Sequence, residues 1–196
     1  MNDSKLRIGV VIGSTRDGRL GERVAQWVMA QAKTLPGFDA QLLDVGAVDL
    51  PLYHDAVQPY DMHGHYPEHA VTAWSQLVAA CDGYIFVTPE YNHGLPAPLK
   101  NAIDWLYPEW TDKAAALVGY SNGNGAGIRA VEQLRLTLAH VGMATVQQVT
   151  TIARAQDHFD ADGTPIDDAF QGSLTRELGQ LEAWARALRP LRRISN

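Results

Sequence analysis

The chain has 196 residues, of which 46% are hydrophobic and 19% charged, and this composition predicts one globular domain over residues 1–196. Its formal net charge of −6 argues against binding to nucleic acid or to an anionic membrane surface. No apolar run approaches the roughly 20 residues needed to cross a bilayer, and the first residues lack a signal-peptide pattern. We therefore expect a cytoplasmic protein.

Short apolar runs alternate along the chain with segments of helical periodicity. Strands are predicted over residues 6–12, 38–45, 83–88, 113–120 and 144–149. Helices are predicted over residues 20–35, 68–80, 97–106, 128–140 and 170–188. This alternation indicates an α/β fold, a three-layer sandwich with a parallel sheet between helices. Five strands favour the flavodoxin-like strand order 2-1-3-4-5.

Three loops of this predicted fold are unusually polar or glycine-rich. They follow the first, third and fourth strands, and we name them the first loop (residues 13–21), the second loop (residues 89–96) and the third loop (residues 121–127). Ligands of such sheets bind at the carboxyl ends of the strands, near the point where the strand order reverses. In the order 2-1-3-4-5 that point lies between the first and third strands, so the three loops should meet at one crevice.

The first loop has the features of an anion site. It joins a strand to a helix N-terminus, where free backbone N–H groups and the helix dipole favour negative charge. The hydroxyls of Ser14 and Thr15 can donate hydrogen bonds, and Arg16 and Arg19 can neutralise a phosphate. The loop matches neither the P-loop nor the Gly-x-Gly-x-x-Gly pattern. The alternative is an ordinary capped helix with two solvated arginines.

The second and third loops suit a flat ligand with polar edges. Tyr91 and His93 offer planar surfaces, and Asn92 offers an amide. Glu90 could serve as a general acid or base, although a salt bridge is the commoner role of such a residue. Glycines in the third loop would allow a ligand to approach the backbone closely. Each of these two loops also has an ordinary conformational explanation, so the prediction depends on their convergence with the first loop.

Three segments resemble the NADPH-dependent FMN reductase family, which includes flavin, quinone, chromate and azo-dye reductases. The matching segments are residues 13–16, residues 89–92 continuing through 99–105, and residues 127–130, within a similarity that spans about residues 6 to 150. The resemblance implies FMN as cofactor, NADPH or NADH as co-substrate, a small-molecule electron acceptor, and a homodimer or homotetramer. No side chain is predicted to act as a nucleophile or acid, because the cofactor supplies the chemistry.

The resemblance also implies which residues contact FMN. For the phosphate these are Ser14, Arg16, Arg19 and the backbone amides of Leu20 and Gly21. For the isoalloxazine ring they are Pro89, Glu90, Tyr91, Asn92 and His93, and for its pyrimidine edge Ser121, Asn122 and Gly123. The chain departs from the family pattern at Arg19, where Ser is frequent, and at Ala126, where one of two paired glycines is frequent.

Two other functions stay open at this point. One is a flavodoxin-type electron-transfer protein, and the other is a phosphatase or similar anion-binding domain without flavin. No metal is predicted. His63 and His65 are expected to lie in a solvated loop, residues 160–163 are expected to form a turn, and Cys81 is expected to be a small core residue.

Overall fold

The structure, a computed structural model, describes residues 4–193, and these form a parallel sheet between two helical layers. The strands are Leu6–Ile12 (β1), Phe38–Asp44 (β2), Gly83–Pro89 (β3), Ala114–Tyr120 (β4), Ala144–Thr145 (β5) and Thr150–Ile152 (β6). The helices are Gly21–Thr34 (α1), His69–Ala79 (α2), Ala97–Asp104 (α3), Ile128–His140 (α4) and Gln171–Leu188 (α5). Short 3-10 turns cover Val45–Ala47, Ala155–Asp157 and Leu191–Arg193.

The sheet has the strand order β2-β1-β3-β4-β5, and its pairs are parallel, as predicted. Every residue of β3 and β4 is buried, because helices cover both faces of these central strands. Helices α1 and α5 pack on one face, and α2, α3 and α4 pack on the other. In the sheet Ile12 pairs with Val87 and Val87 with Val118, so β1, β3 and β4 end side by side.

The fifth strand differs from its prediction. Instead of one strand over residues 144–149, β5 and β6 pair separately with β4, and residues 146–149 run between them. Two polar side chains of α5 account for the interruption. Gln180 accepts a hydrogen bond from the N–H of Gln148 at 2.9 Å. The Oε1 atom of Glu177 accepts from the N–H of Leu117 in β4 at 2.6 Å, which satisfies an amide that a continuous edge strand would bond.

The long segment between β2 and α2 is irregular but anchored. The side chains of Asn101 and Trp105 both donate to the carbonyl of Pro51, at 2.8 and 2.7 Å. Tyr66 is buried, and its hydroxyl donates to the carboxylate of Glu109 at 2.9 Å. These contacts join the segment to α3 and to the chain that follows α3, so it lies over one face of the sheet.

Other sequence expectations concern single residues. Cys81 is buried in the core, as predicted. Asp160 accepts hydrogen bonds from the N–H groups of Asp162 and Thr164, which confirms the predicted turn. Among residues 4–193, no three His, Cys, Asp or Glu side chains lie close enough to hold a metal ion. No helix within that range is long and apolar enough to cross a membrane.

Glu177 gives the fold a pH-dependent component of stability. The residue is fully buried, and within the part of the chain that the structure describes its Oε2 atom has no hydrogen-bond partner. Burial raises the pKa of Glu177 from 4.5 to about 7, although the neighbouring Thr150 and the hydrogen bond from the Leu117 N–H oppose this rise. The folded protein therefore binds this proton more tightly than the unfolded chain does.

We predict that Glu177→Gln removes this dependence. The wild-type free energy of unfolding should fall relative to the variant as the pH rises from about 5 through 7, by up to about 3 kcal/mol. Gln keeps an oxygen acceptor for the Leu117 N–H but does not ionise. Urea unfolding of both proteins at several pH values measures the difference. Parallel pH profiles for the two proteins would contradict the prediction.

Candidate functional site

The three loops meet around one cavity of about 460 Å³ at the carboxyl ends of β1, β3 and β4. This volume lies within the range of small-molecule sites. The cavity is lined by Ser14, Arg16, Asp17, Gly18, Arg19, Leu20, Pro89, Glu90, Tyr91, Tyr120, Ser121, Asn122, Gly123, Gly125 and Arg129. The convergence predicted from the sequence is therefore present.

The first loop presents one exposed cation to the cavity. The guanidinium of Arg16 lies 5.8 Å from the centroid of the Tyr91 ring, within cation–π range. Between residues 4 and 193 no carboxylate forms an ion pair with Arg16. Ser14 is fully buried, and its hydroxyl shares a hydrogen bond of 2.6 Å with the hydroxyl of Tyr91. The first and second loops are thus joined directly behind Arg16.

The N-terminus of α1 opens toward the same cavity. The first helical hydrogen bond runs from the N–H of Val24 to the carbonyl of Leu20, so the preceding amides have no acceptor within the helix. Tyr120 lies against this helix start. A Cβ atom at Gly21 would fall 2.5 Å from its hydroxyl oxygen, so the position favours glycine. Burial raises the pKa of Tyr120, and the neighbouring Tyr91 raises it further, so this hydroxyl stays protonated as a hydrogen-bond donor.

Arg19 lines the cavity, but its guanidinium turns toward acidic side chains. Its Nη2 atom lies 2.5 Å from Asp44 Oδ2 and 2.9 Å from Glu22 Oε1. Its Nη1 atom donates to the carbonyl oxygen of Ser14. Arg19 therefore differs from Arg16, because its charge is already neutralised by protein carboxylates.

Glu90 joins the second loop to the start of α4. Its carboxylate accepts from Arg129 Nε at 2.7 Å and from the Arg129 backbone N–H at 3.1 Å. Burial alone would raise the pKa of Glu90, but the bonds from Arg129 outweigh it and lower the pKa. Glu90 is thus an ionised salt-bridge partner, the commoner of the two roles considered from the sequence, and it caps a helix N-terminus.

Asn92 and His93 form the tip of a tight turn beside the cavity. Tyr91 and Gly94 exchange backbone hydrogen bonds of 2.9 and 3.0 Å. Asn92 and His93 both have positive φ angles, 50° and 68°, as the middle residues of such a turn require. The turn places both exposed side chains outside the cavity wall.

Two successive residues of the third loop have a left-handed backbone conformation. Ala126 and Gly127 have φ angles of 54° and 81°, so both residues lie in the left-handed region although one of them is alanine. A Cβ atom at Gly127 would fall 2.5 Å from the backbone nitrogen of Tyr120, which explains glycine there. At Gly123 a Cβ atom would meet nothing within 4 Å, so this side of the loop faces open space.

The structure brings most of the predicted site residues together. The exceptions are Gly21, which is covered by Tyr120, and Asn92 and His93 at the turn tip. Five lining residues were not predicted from the sequence: Asp17, Gly18, Tyr120, Gly125 and Arg129. Asp17, Gly18 and Gly125 lie within loops that were identified, and Tyr120 and Arg129 lie at or next to the ends of the third loop.

Comparison with known proteins decides the family. The family model described as NADPH-dependent FMN reductase matches residues 6–157. The chain belongs to this family. It is 34% identical over 188 residues to an NAD(P)H-dependent FMN reductase of Nectria sp, covering 92% of this chain and 88% of that protein. It is 32% identical over 187 residues to a 2-hydroxy-1,4-benzoquinone reductase of Burkholderia sp, covering 92% and 97%.

Solved structures agree with this FMN reductase assignment. The chain superposes with a TM-score of 0.75 on FerB, a flavoenzyme NAD(P)H:(acceptor) oxidoreductase from Paracoccus denitrificans, at 27% identity over 93% of this chain and 98% of that one. The resemblance drawn from the three sequence segments is confirmed. The chain is an oxidoreductase of the FMN- and NAD(P)H-dependent class, and the flavodoxin-type alternative is not favoured.

We predict that Glu90→Ala destabilises the fold by about 1–3 kcal/mol, because it leaves the α4 N-terminus uncapped and Arg129 without its partner. Glu132→Ala is the matched control, since Glu132 is 60% exposed and pairs with Arg135 on the same helix at 3.5 Å. The control should change stability by less than about 0.5 kcal/mol. Urea unfolding measures both variants, and equal losses would contradict a specific role for Glu90.

Proposed function

We propose that the cavity between the three loops binds FMN, and that the enzyme passes electrons from NADH or NADPH to a quinone, a flavin or a similar small acceptor. The observation that carries the proposal is that Arg16 lines the same cavity as Leu20 at the start of α1, whose first amides have no acceptor within the helix, and that the second and third loops line this cavity too. An exposed cation and free amides suit a phosphate ester. The quinone class is supported by the names of several relatives.

The phosphate end is assigned to the first loop. Arg16 would supply charge-assisted hydrogen bonds, and the amides of Leu20 and Gly21 would donate from the N-terminus of α1. The hydroxyl of Ser14 lies at the base of the loop, where its bond to Tyr91 holds the two loops together. Arg19 would act on the phosphate through the loop, since its guanidinium is paired with acidic side chains.

The ring end is assigned to the other two loops. Pro89, Glu90 and Tyr91 form one wall of the cavity. Ser121, Asn122 and Gly123 form another part of the cavity wall, where open space beside Gly123 would leave room for the pyrimidine edge of the ring. Asn92 and His93 would support this arrangement by fixing the turn that carries Tyr91.

Bound FMN supplies hydride acceptance from NAD(P)H and electron transfer to the acceptor. The protein's contribution is to bind and orient. Arg16 anchors one end, and the backbone of the second and third loops fixes the plane of the ring. The Glu90–Arg129 pair holds the two walls at a constant separation. No side chain of the cavity is assigned as a nucleophile or as a proton donor to substrate.

The assembly and location of the enzyme are also part of the proposal. We expect a homodimer or homotetramer in the cytoplasm. Exposed apolar side chains support self-association, among them Ile128 and Leu136, which lie two turns apart on α4. Such side chains are candidates for burial between copies of the chain.

Substitution of Arg16 tests the phosphate assignment. Arg16→Ala should weaken FMN binding by about 1–3 kcal/mol, the range for a hydrogen bond to a charged group. Its affinity for riboflavin, which lacks the phosphate, should not change. Arg176→Ala removes the same charge from the exposed surface of α5 and is the matched control. Quenching of flavin fluorescence measures the affinities of the three proteins for FMN and for riboflavin. Equal FMN affinity in wild type and Arg16→Ala would refute the assignment.

The activity itself is tested by anaerobic spectroscopy. The FMN-reconstituted enzyme should be yellow, should bleach when NADH or NADPH is added, and should regain its colour when a quinone is then added. Steady-state rates should follow a ping-pong pattern, because donor and acceptor use the same open face in turn. Bound flavin that NAD(P)H does not bleach would favour an electron carrier, and a protein that binds no FMN would refute the proposal.

A further inference from the structure

The guanidinium of Arg19, a residue of the first loop, is bound by two carboxylates and a carbonyl. Its Nη2 atom lies 2.5 Å from Asp44 Oδ2, and its Nε atom donates to Glu22 Oε1 at 3.0 Å. Burial alone would lower the pKa of Arg19, but the hydrogen bonds to Asp44 and Glu22 outweigh this and raise it. The guanidinium is therefore a permanent cation in a partly buried ion pair.

Asp44 is the less exposed of the two carboxylates. It is the last residue of β2, opposite Ile12 of β1, and its Oδ1 atom accepts from the N–H of Gly46 at 2.8 Å. Its side chain is 22% exposed, whereas that of Glu22 is 56% exposed. A Cβ atom at Gly46 would collide with the guanidinium of Arg19, so the ion pair packs directly on the backbone that follows β2.

The ion pair between Arg19 and Asp44 lowers the net positive charge near a phosphate bound at the first loop. Two arginines lie at the first loop, but three carboxylates, those of Asp17, Glu22 and Asp44, lie with them. Glu22 and Asp17 are exposed, so water screens them strongly. Asp44 is less exposed, so water screens it less, and it is not among the residues that line the cavity. Of the two carboxylates that pair with Arg19, Asp44 lies closer to the guanidinium and is less exposed than Glu22.

We propose that Asp44 limits the binding of the FMN phosphate by neutralising Arg19, so that Asp44 sets how strongly the enzyme prefers FMN to riboflavin. The proposal rests on the proposed function and extends it to a residue outside the cavity wall. In this role Asp44 determines ligand specificity without touching the ligand, because it acts through Arg19.

The test compares FMN and riboflavin binding by wild type and by Asp44→Asn, using the full-length apoprotein and flavin fluorescence quenching. Asn keeps an oxygen acceptor for the Gly46 N–H but removes the charge. The variant should bind FMN about fivefold more tightly at low salt, the size of a partly screened interaction between unit charges. The gain should shrink at high salt, and riboflavin affinity should not change. Glu22→Gln, the exposed control, should give a smaller gain.

A double variant separates this role from a direct contact between Arg19 and the phosphate. Arg19→Gln alone should weaken FMN binding, because it leaves Asp44 uncompensated. Arg19→Gln with Asp44→Asn should bind FMN within about twofold of wild type, because the removed pair is neutral. A double variant as weak as Arg19→Gln would overturn the proposal. Asp44→Ser, which can also accept from the Gly46 N–H, replaces Asp44→Asn if that variant does not fold.

The outcomes also separate this proposal from the proposed function. If wild type binds neither FMN nor riboflavin, the proposed function fails. If wild type binds FMN but Asp44→Asn binds it with equal or lower affinity, the function stands and the role of Asp44 fails. Tighter FMN binding that is unchanged by salt, or that riboflavin shares, would likewise overturn the role of Asp44.

Discussion

The candidate site depends on the parallel, in-register pairing of β1, β3 and β4. Because these strands run in one direction and end side by side, the chain leaves the sheet three times along the same edge. Backbone hydrogen bonds join each loop start to the neighbouring strand. The N–H of Gly13 donates to the carbonyl of Val87, and the N–H of Glu90 donates to the carbonyl of Tyr120. The cavity is the space between these loops, and a shift of one strand would separate its walls.

Residues of the same type have different roles at the cavity, and the role of each depends on the side chains beside it. Arg16 has no carboxylate partner among the described residues, whereas Arg19 has two and Arg129 has one. Formal charge therefore describes the site poorly, because only an unpaired cation adds attraction for a phosphate. The same reasoning applies to Glu90, whose ion pair with Arg129 makes it a structural link and not an acid or base.

Much of this arrangement could be predicted from the sequence, because the pattern is local. Buried strands alternate with amphipathic helices, and glycine, proline and polar residues mark the three loops. The interruption between β5 and β6 could not be predicted, since it depends on Glu177 and Gln180, about 30 residues further along the chain. The ion pair of Arg19 with Asp44 could not be predicted either, because the two residues are 25 positions apart in the sequence.

Some omissions had a signal in the sequence. Tyr120 is the last residue of its strand and directly precedes the third loop, so its position at the cavity follows from the predicted topology. Arg129 lies two residues after the third loop. Asn92 and His93 were predicted from their place in the second loop, but they form the tip of a tight turn and do not line the cavity.

The proposed function requires that one cavity receives both ends of FMN. A crystal structure of the FMN complex tests this requirement most directly. The phosphate should lie against Arg16 and the first amides of α1, with the ring between residues 89–91 and 121–123. A flavin bound elsewhere, or one whose phosphate points away from the first loop, would contradict it.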